Sequence, residues 1–166
     1  MEYTFKQVLP KIAAYCSYQD RCRQEIENRL IKWEYSYEDW PEVFAWLKDN
    51  KFWDEERYAA SFVRGKFRGN KWGKRKIKMA LYQKGVPQEI GNKALSEIKD
   101  EEYQEVALKL AIKKVERLRE KGEEAHIVKG KTLQYLAGKG FESQTCYNAV
   151  DDAIYRLDND LEEEEW

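Results

Sequence analysis

The stretch IKMALYQKGV, residues 77–86, decides the fold, because its pattern of apolar residues occurs three times in the chain. It places apolar residues four apart on one helix face, and a Lys-Gly pair then precedes a further apolar residue. A glycine in that place suits a helix that ends in the left-handed conformation. The same columns recur without gaps at residues 26–35 and 132–141. Each stretch therefore predicts the same local structure, a helix followed by a short turn.

Each copy of the repeat extends into a second helix, and a leading helix precedes the pair. Six columns are expected to be buried, in repeat order: Ile26, Ile77 and Thr132; Leu30, Leu81 and Leu136; Tyr35, Val86 and Phe141; Val43, Ala94 and Ala149; Phe44, Leu95 and Val150; Leu47, Ile98 and Ala153. A single compact bundle with accidental periodicity is the alternative, but agreement in several columns favours a true repeat. The sequence therefore predicts an all-α fold of three tandem three-helix repeats. Stacked end to end, these would form an elongated, curved rod.

The predicted domain boundaries follow from the columns. We expect a first three-helix repeat over residues 1–52, a second and basic repeat over 53–98, and a third over 99–157. An acidic tail over 158–166 is expected to be flexible. Side chains that can cap a helix start stand at four places: Ser17, Ser36, Asp54 and Asp100.

The composition excludes several classes of protein. The chain has 166 residues, of which 42% are hydrophobic, so there is enough apolar material for a core. No apolar run reaches the roughly 18 residues of a membrane span, and the start of the chain does not resemble a signal peptide. The three cysteines form no Cys-x-x-Cys pair, and His126 is the only histidine. We therefore expect a cytoplasmic protein without a disulfide framework, a metal site or a cofactor.

No catalytic constellation is evident in the sequence. The motifs GxGxxG and HExxH are absent. Gly130-Lys131-Thr132 has the tail of a phosphate-binding loop, but Ala125 stands where that motif requires its first glycine. We therefore expect that the chain is not an enzyme.

Charge is divided unevenly along a chain whose formal net charge is only −1. Residues 57–88 contain ten basic residues and no Asp or Glu, whereas residues 151–166 contain eight acids and one base. A basic stretch is often a solvated helix face, but ordinary helices mix signs to gain ion pairs between turns. A partner that is a polyanion or an acidic protein surface would explain why every charged residue of this stretch is basic. The candidate binding residues are Arg57, Arg64, Lys66, Arg68, Lys71, Trp72, Lys74, Arg75, Lys76 and Lys78.

Two segments carry a resemblance to a known family. The segment FWDEERYAASFVR, residues 52–64, resembles the signature of the RecX regulatory protein family: an aromatic, an aliphatic, two acids, an arginine, an aromatic, alanine, then Phe-Val-Arg. Residues 73–86, GKRKIKMALYQKGV, are similar to the family's next helix, a basic segment that ends in Lys-Gly-Ile. Residues 17–30 and 139–141 look like parts of its first and third repeats. The resemblance covers roughly residues 10–155.

The resemblance implies tandem three-helix units and a regulatory protein rather than an enzyme. It implies binding to the RecA recombinase and to its filament on single-stranded DNA, in the helical groove of the filament. Inhibition of the ATPase and of strand exchange would follow, and with it restraint of recombination, DNA repair and the SOS response. A monomer without a membrane partner is expected.

The chain departs from the family pattern at two places in these segments. Trp53 stands where an aliphatic residue is usual, and Met79-Ala80 replaces the usual approach to the turn, in which an acid often stands. The second repeat is therefore more basic than that of a typical member.

Two other functions remain open at this point. A stand-alone helical DNA-binding module would use the same basic residues, with Trp72 and Tyr82 as stacking surfaces for single- or double-stranded DNA. A helical adaptor for an unrelated protein would show neither DNA affinity nor an effect on a recombinase.

Overall fold

The part of the chain that the structure describes is helical throughout. The structure is a computed structural model that describes residues 2–164, without the side chains of residues 161–164. This part contains nine α-helices and no β-strand. In chain order they are α1 (Phe5–Tyr18), α2 (Arg23–Lys32), α3 (Trp40–Asp49), α4 (Glu55–Arg64), α5 (Lys74–Gln83), α6 (Gln88–Ser96), α7 (Asp100–Glu120), α8 (Ala125–Lys139) and α9 (Ser143–Glu164).

The six predicted repeat columns are all buried, and none of their residues is more than 9% exposed. Thr132 occupies the one polar place in these columns, and its hydroxyl donates to the backbone oxygen of Val128 at 2.7 Å. That bond satisfies a polar group which would otherwise be costly to bury. The prediction of an all-α helical repeat is confirmed.

The turn that follows each Lys-Gly pair has the expected backbone conformation. Gly85 has φ 77° after α5, and Gly140 has φ 99° after α8. Both values lie in the left-handed region, which glycine adopts without the steric cost that a Cβ brings. The sequence therefore predicted correctly how these two helices end.

The predicted helix starts are only partly right. The Asp54 carboxylate accepts from the backbone N–H of Arg57 at 3.0 Å and caps α4, as expected. Ser17 caps nothing, because it lies in the last turn of α1 and its hydroxyl donates to the Ala13 oxygen at 2.9 Å. A serine within a helix commonly forms this backward bond. The prediction for Ser17 was therefore wrong, and α1 extends to Tyr18.

Two short helical segments accompany the α-helices. A 3₁₀ turn, Tyr37–Asp39, leads into α3 and is capped by Ser36. A π-helical turn, Gly65–Gly69, continues α4. A π turn holds an extra residue and so changes the face that later side chains occupy. Here it accompanies Phe67, which is 2% exposed and packs against the ring of Tyr103 at 5.9 Å between centroids.

Contacts divide the chain into two compact units. Unit 1 comprises residues 2–63 and 79–95, and unit 2 comprises residues 64–78 and 96–164. Helices α4 and α5 each contribute to both units. The predicted repeat boundaries at 52/53, 98/99 and 157/158 stay a prediction. The predicted tail, residues 158–166, overlaps the end of α9, whose last residue is Glu164. Residues 165–166 lie outside the described residues.

Each unit has its own core. In unit 1, α1 packs against α2 and α3 around Val8, Ile12, Ile26, Val43 and Leu47. In unit 2, the long helix α7 packs along both α8 and α9. Its buried face carries alanines at positions 107 and 111, which let the neighbouring helices approach closely.

Candidate binding surface

The ten predicted binding residues do not all lie in one unit. Arg57 belongs to unit 1, and the other nine belong to unit 2. Those nine lie on the end of α4, the π turn, the connection at residues 70–73 and the first turns of α5. We call these nine residues, 64–78, the basic cluster.

Two of the predicted cations are paired within the protein. The Arg57 guanidinium donates to the Asp20 carboxylate at 2.7 Å and to the backbone oxygen of Lys51 at 3.3 Å. Arg68 pairs with Glu102 at 3.3 Å. Arg57 therefore ties elements of unit 1 together, and its charge is compensated by Asp20.

Five cations of the basic cluster have no acidic partner among the described residues. All five side chains are exposed, and no described carboxylate lies within ion-pair distance of them. They are Arg64, Lys71, Arg75, Lys76 and Lys78. Their charges remain available to an external anion and raise the local positive potential.

Trp72 lies between two lysines of the basic cluster. The Nζ atoms of Lys66 and Lys76 lie 4.8 Å and 4.6 Å from the centroid of its ring. The indole is half-buried. Cation–π attraction orders flexible lysine side chains that would otherwise sample many rotamers. The cluster is therefore partly preorganised.

The start of α5 is held by the backbone at the end of α8. The Gly73 N–H donates to the Lys139 oxygen at 2.7 Å, and the Arg75 N–H donates to the Gly140 oxygen at 3.0 Å. A Cβ at Gly73 would lie 2.3 Å from backbone atoms of Gly140 and Phe141. This close approach requires glycine at position 73 and satisfies N–H groups that a helix start leaves without partners. We call this contact the α5–α8 junction.

Tyr103 of α7 completes the α5–α8 junction. Its hydroxyl accepts from the backbone N–H of Lys74 at 3.0 Å and donates to the Glu142 carboxylate. The Lys74 Nζ lies 4.8 Å from the Tyr103 ring. Burial, and then the hydrogen bond to Glu142, raises the pKa of Tyr103 well above its usual value. The hydroxyl therefore stays protonated and keeps both bonds at neutral pH.

Sequence reasoning missed one cation of this region, Lys139. Its ammonium donates to the backbone oxygen of Asn70 at 2.8 Å. Burial, and then the nearby Lys76 charge, lowers the pKa of Lys139. The Lys-Gly turn was recognised as a helix end, but only the packing of α8 against α5 places Lys139 beside the basic cluster.

Three acidic residues of α9 pair with cations outside the basic cluster. Asp151 pairs with Lys129 at 3.4 Å, Asp152 with Arg156 at 3.0 Å, and Asp158 with Arg119 at 2.8 Å. None of these three partners belongs to the basic cluster. The three carboxylates therefore leave the charge of the cluster uncompensated.

The described residues contain no group of three or more His, Cys, Asp or Glu side chains arranged to hold a metal ion. All three cysteines are buried, and burial raises the pKa of each thiol, that of Cys16 to about 11. A protonated, buried thiol is a poor nucleophile. Within residues 2–164 no helix is both long enough and apolar enough to cross a bilayer.

The chain matches two protein-family descriptions in succession. Residues 54–95 match "RecX, second three-helix domain", and residues 100–150 match "RecX, third three-helix domain".

Curated relatives and a solved structure agree with these matches. The "Regulatory protein RecX" of Prosthecochloris aestuarii is 31% identical over 90% of this chain and 95% of its own length. That of Clostridium perfringens (strain 13) is 28% identical over 78% of this chain, which spans only 60% of that relative. The crystal structure of RecX from Lactobacillus salivarius superposes with a TM-score of 0.79 at 28% identity, covering 92% of this chain and 96% of that one. The family matches, the similarity over nearly the whole of one relative and the shared helical repeat together show that the chain belongs to the RecX family of regulatory proteins.

Proposed function

We propose that this chain binds the RecA recombinase, or its filament on single-stranded DNA, and inhibits the ATPase and recombination activities of the filament. It would act as a cytoplasmic monomer that regulates DNA repair and the SOS response, and not as an enzyme. Family membership gives the class of regulator. The observation that carries the proposal is the set of five exposed cations, residues 64–78, without acidic partners among the described residues.

The proposed mechanism is electrostatic docking followed by a shift in the state of the filament. The basic cluster would contact acidic surface of the recombinase or DNA phosphates beside it. A ligand shifts an equilibrium only when it binds one state better than another. The protein would therefore inhibit by favouring a filament state in which nucleotide turnover or subunit addition is slow.

The test is the ATPase rate of the cognate RecA on single-stranded DNA, with this protein titrated in and free DNA held in excess. We expect inhibition near stoichiometric amounts that survives the excess DNA. The double variant Arg75→Glu/Lys78→Glu should inhibit at least tenfold less well, because reversing exposed interface charges weakens association. Both residues are exposed on α5 and have no acidic partner to lose.

A matched control separates the cluster from net charge. The variant Lys113→Glu/Lys121→Glu makes the same change of charge at exposed positions in and directly after α7. It should inhibit as the parent does. Equal inhibition by the parent and a folded Arg75→Glu/Lys78→Glu variant would contradict the role of the cluster.

A second candidate function is stand-alone DNA binding. The arrangement of Trp72 with Lys66 and Lys76 favours it, because single strands are bound by rings that stack bases beside cations that contact phosphates. It predicts DNA affinity that falls steeply with salt, and inhibition that excess free DNA abolishes. The same ATPase titration therefore distinguishes the two functions.

A further inference from the structure

The repeat places two pairs of residues at equivalent positions in the two units. Glu25 and Lys76 each directly precede a column isoleucine, at the start of α2 and of α5. Lys84 and Lys139 each directly precede the left-handed glycine that ends a helix. The pair Glu25 and Lys84 lies in unit 1, and the pair Lys76 and Lys139 lies in unit 2.

In unit 1 the pair is compensated. A Glu25 oxygen lies 3.8 Å from the Lys84 ammonium, and the other accepts from the backbone N–H of Cys22 at 3.0 Å. A carboxylate at this place serves both the start of one helix and the cation at the end of another.

In unit 2 the same place holds two like charges. Lys76 approaches the turn so closely that a Cβ on Gly140 would lie 2.4 Å from the Lys76 Cβ. Burial, and then the Lys76 charge, lowers the pKa of Lys139. No described carboxylate pairs with either lysine. Since the same repeat accommodates a Glu–Lys pair in unit 1, the fold itself does not demand this repulsion.

Helix electrostatics do not explain the second lysine. A cation near the end of α8 gains from the helix dipole, but Lys139 in the last turn already supplies that charge. Lys76 adds repulsion and, at the third residue of α5, stands where an acid would be favoured. An external anion bound by both Lys76 and Lys139 would replace their mutual repulsion with attraction to the anion.

We infer that Lys76 and Lys139 form a binding site for a carboxylate side chain of the protein partner. This carboxylate pairs with the lysine that precedes the left-handed glycine, as Glu25 pairs with Lys84 in unit 1. The Glu25–Lys84 pair argues for a carboxylate rather than a phosphate, because it shows that a carboxylate fits beside the lysine at this turn of the repeat. The inference deepens the proposed function and rests on it for the identity of the partner.

The test uses hexaglutamate as the probe, with the full chain observed by amide NMR. In the parent, hexaglutamate should shift the amide signals of Lys76, Lys139 and Gly140. The variant Lys76→Glu should bind hexaglutamate at least tenfold more weakly. Its melting temperature should not fall, because the new carboxylate pairs with Lys139. Lys76→Gln, which only removes the charge, should weaken binding by a smaller factor.

The chain offers a matched control at the equivalent position of the third repeat. Lys131 directly precedes Thr132 in the same column and pairs with Glu123 at 2.7 Å. Lys131→Glu should lower stability slightly and leave hexaglutamate binding at the junction unchanged. A merely structural role would not give this result, in which only Lys131→Glu lowers stability and only Lys76→Glu weakens hexaglutamate binding.

Three results would overturn the inference. They are unchanged hexaglutamate binding by Lys76→Glu, no shift of the junction amides in the parent, and, in a parallel titration with oligothymidylate as a phosphate probe, a Lys76→Glu variant that loses only oligothymidylate binding, which would indicate phosphate. The ATPase titration separates the two proposals. If the parent inhibits RecA and Lys76→Glu inhibits equally, the inference fails and the proposed function stands. If hexaglutamate binds at the junction but the parent does not inhibit, the proposed function fails and the carboxylate site stands.

Discussion

The starts of α2 and α5 occupy equivalent positions in the repeat but are held by different means. In unit 1, Cys22 precedes the helix and its N–H is satisfied by the side chain of Glu25. In unit 2, Gly73 precedes the helix and its N–H is satisfied by the backbone oxygen of Lys139. The second solution removes the need for a capping acid, and so it allows an all-basic helix start. The difference shows how one repeat can be made cationic without losing its hydrogen bonds.

Two buried tyrosines, one on α4 and one on α7, also differ between the two units. Tyr58 of α4 is buried beside Cys22. Tyr103 of α7 uses its hydroxyl twice, for the Lys74 N–H and for Glu142. We therefore expect loss of the tyrosine hydroxyl to destabilise unit 2 more than unit 1.

The largest expected effect comes from breaking the backbone contact of the α5–α8 junction. Gly73→Ala should lower the free energy of unfolding by about 3 kcal/mol, because the new Cβ meets backbone atoms that no rotamer change can move. Urea denaturation measures the loss. Gly130→Ala is the control, since its Cβ meets nothing within 4 Å and should stabilise α8 by about 0.5–1 kcal/mol. If Gly73→Ala lowered the free energy of unfolding by no more than an ordinary surface substitution does, the close contact at the α5–α8 junction would be contradicted.

The second prediction compares the two tyrosines. Tyr103→Phe should cost about 2 kcal/mol, because it leaves the Lys74 N–H and the Glu142 carboxylate without their partner. Tyr58→Phe should cost less than about 1 kcal/mol, since its hydroxyl lies beside a thiol, which is a weak acceptor. Thermal melting of both variants gives the comparison. Equal losses would show that the hydroxyl of Tyr103 has no special role.

The third prediction concerns alkaline pH and unit 1. Burial raises the pKa of the Cys16 thiol from 9.0 to about 11, so the folded chain keeps this proton where the unfolded chain loses it. The free energy of unfolding should therefore fall between pH 9 and pH 11. Cys16→Ala should show a shallower fall over that range in urea titrations at fixed pH. An unchanged slope would mean that other groups, such as Tyr58, dominate.

The smallest expected effect lies at Trp53, which departs from the family pattern. Its ring packs on Phe44 at 4.9 Å between centroids, but its indole N–H is buried without a partner. Trp53→Phe keeps an aromatic contact and removes the unsatisfied donor. We expect a change of at most about 1 kcal/mol in either direction, set by the lost packing against the relieved desolvation. A loss above that range would show that the indole is needed for its size.

Much of the fold could be predicted from residue spacing. Burial of the columns follows from apolar residues at helical spacing, and the left-handed ends follow from Gly85 and Gly140. The start of α2 was predicted wrongly, because Ser17 matches a helix cap in the sequence. In the structure Ser17 lies within α1 and bonds back to Ala13, and Cys22 precedes α2.

The binding residues stay a prediction, but the structure shows where they lie. Nine of the ten lie together in unit 2, whereas Arg57 lies in unit 1. Arg57 pairs with Asp20, which is 37 residues away in sequence, so a linear reading could not show the pair. Lys139 was missed for the converse reason, since it lies 69 residues from Asn70, its partner.

The sequence by itself determined the all-α repeat, the glycine turns and the basic character of residues 64–78. These depend on local spacing and on the intrinsic conformational freedom of glycine, which are written along the chain. Only the tertiary structure decided which cations are paired, that Gly73 contacts the backbone of Gly140, and that Lys76 and Lys139 come together. Those features depend on contacts between residues far apart in sequence, and packing alone sets them.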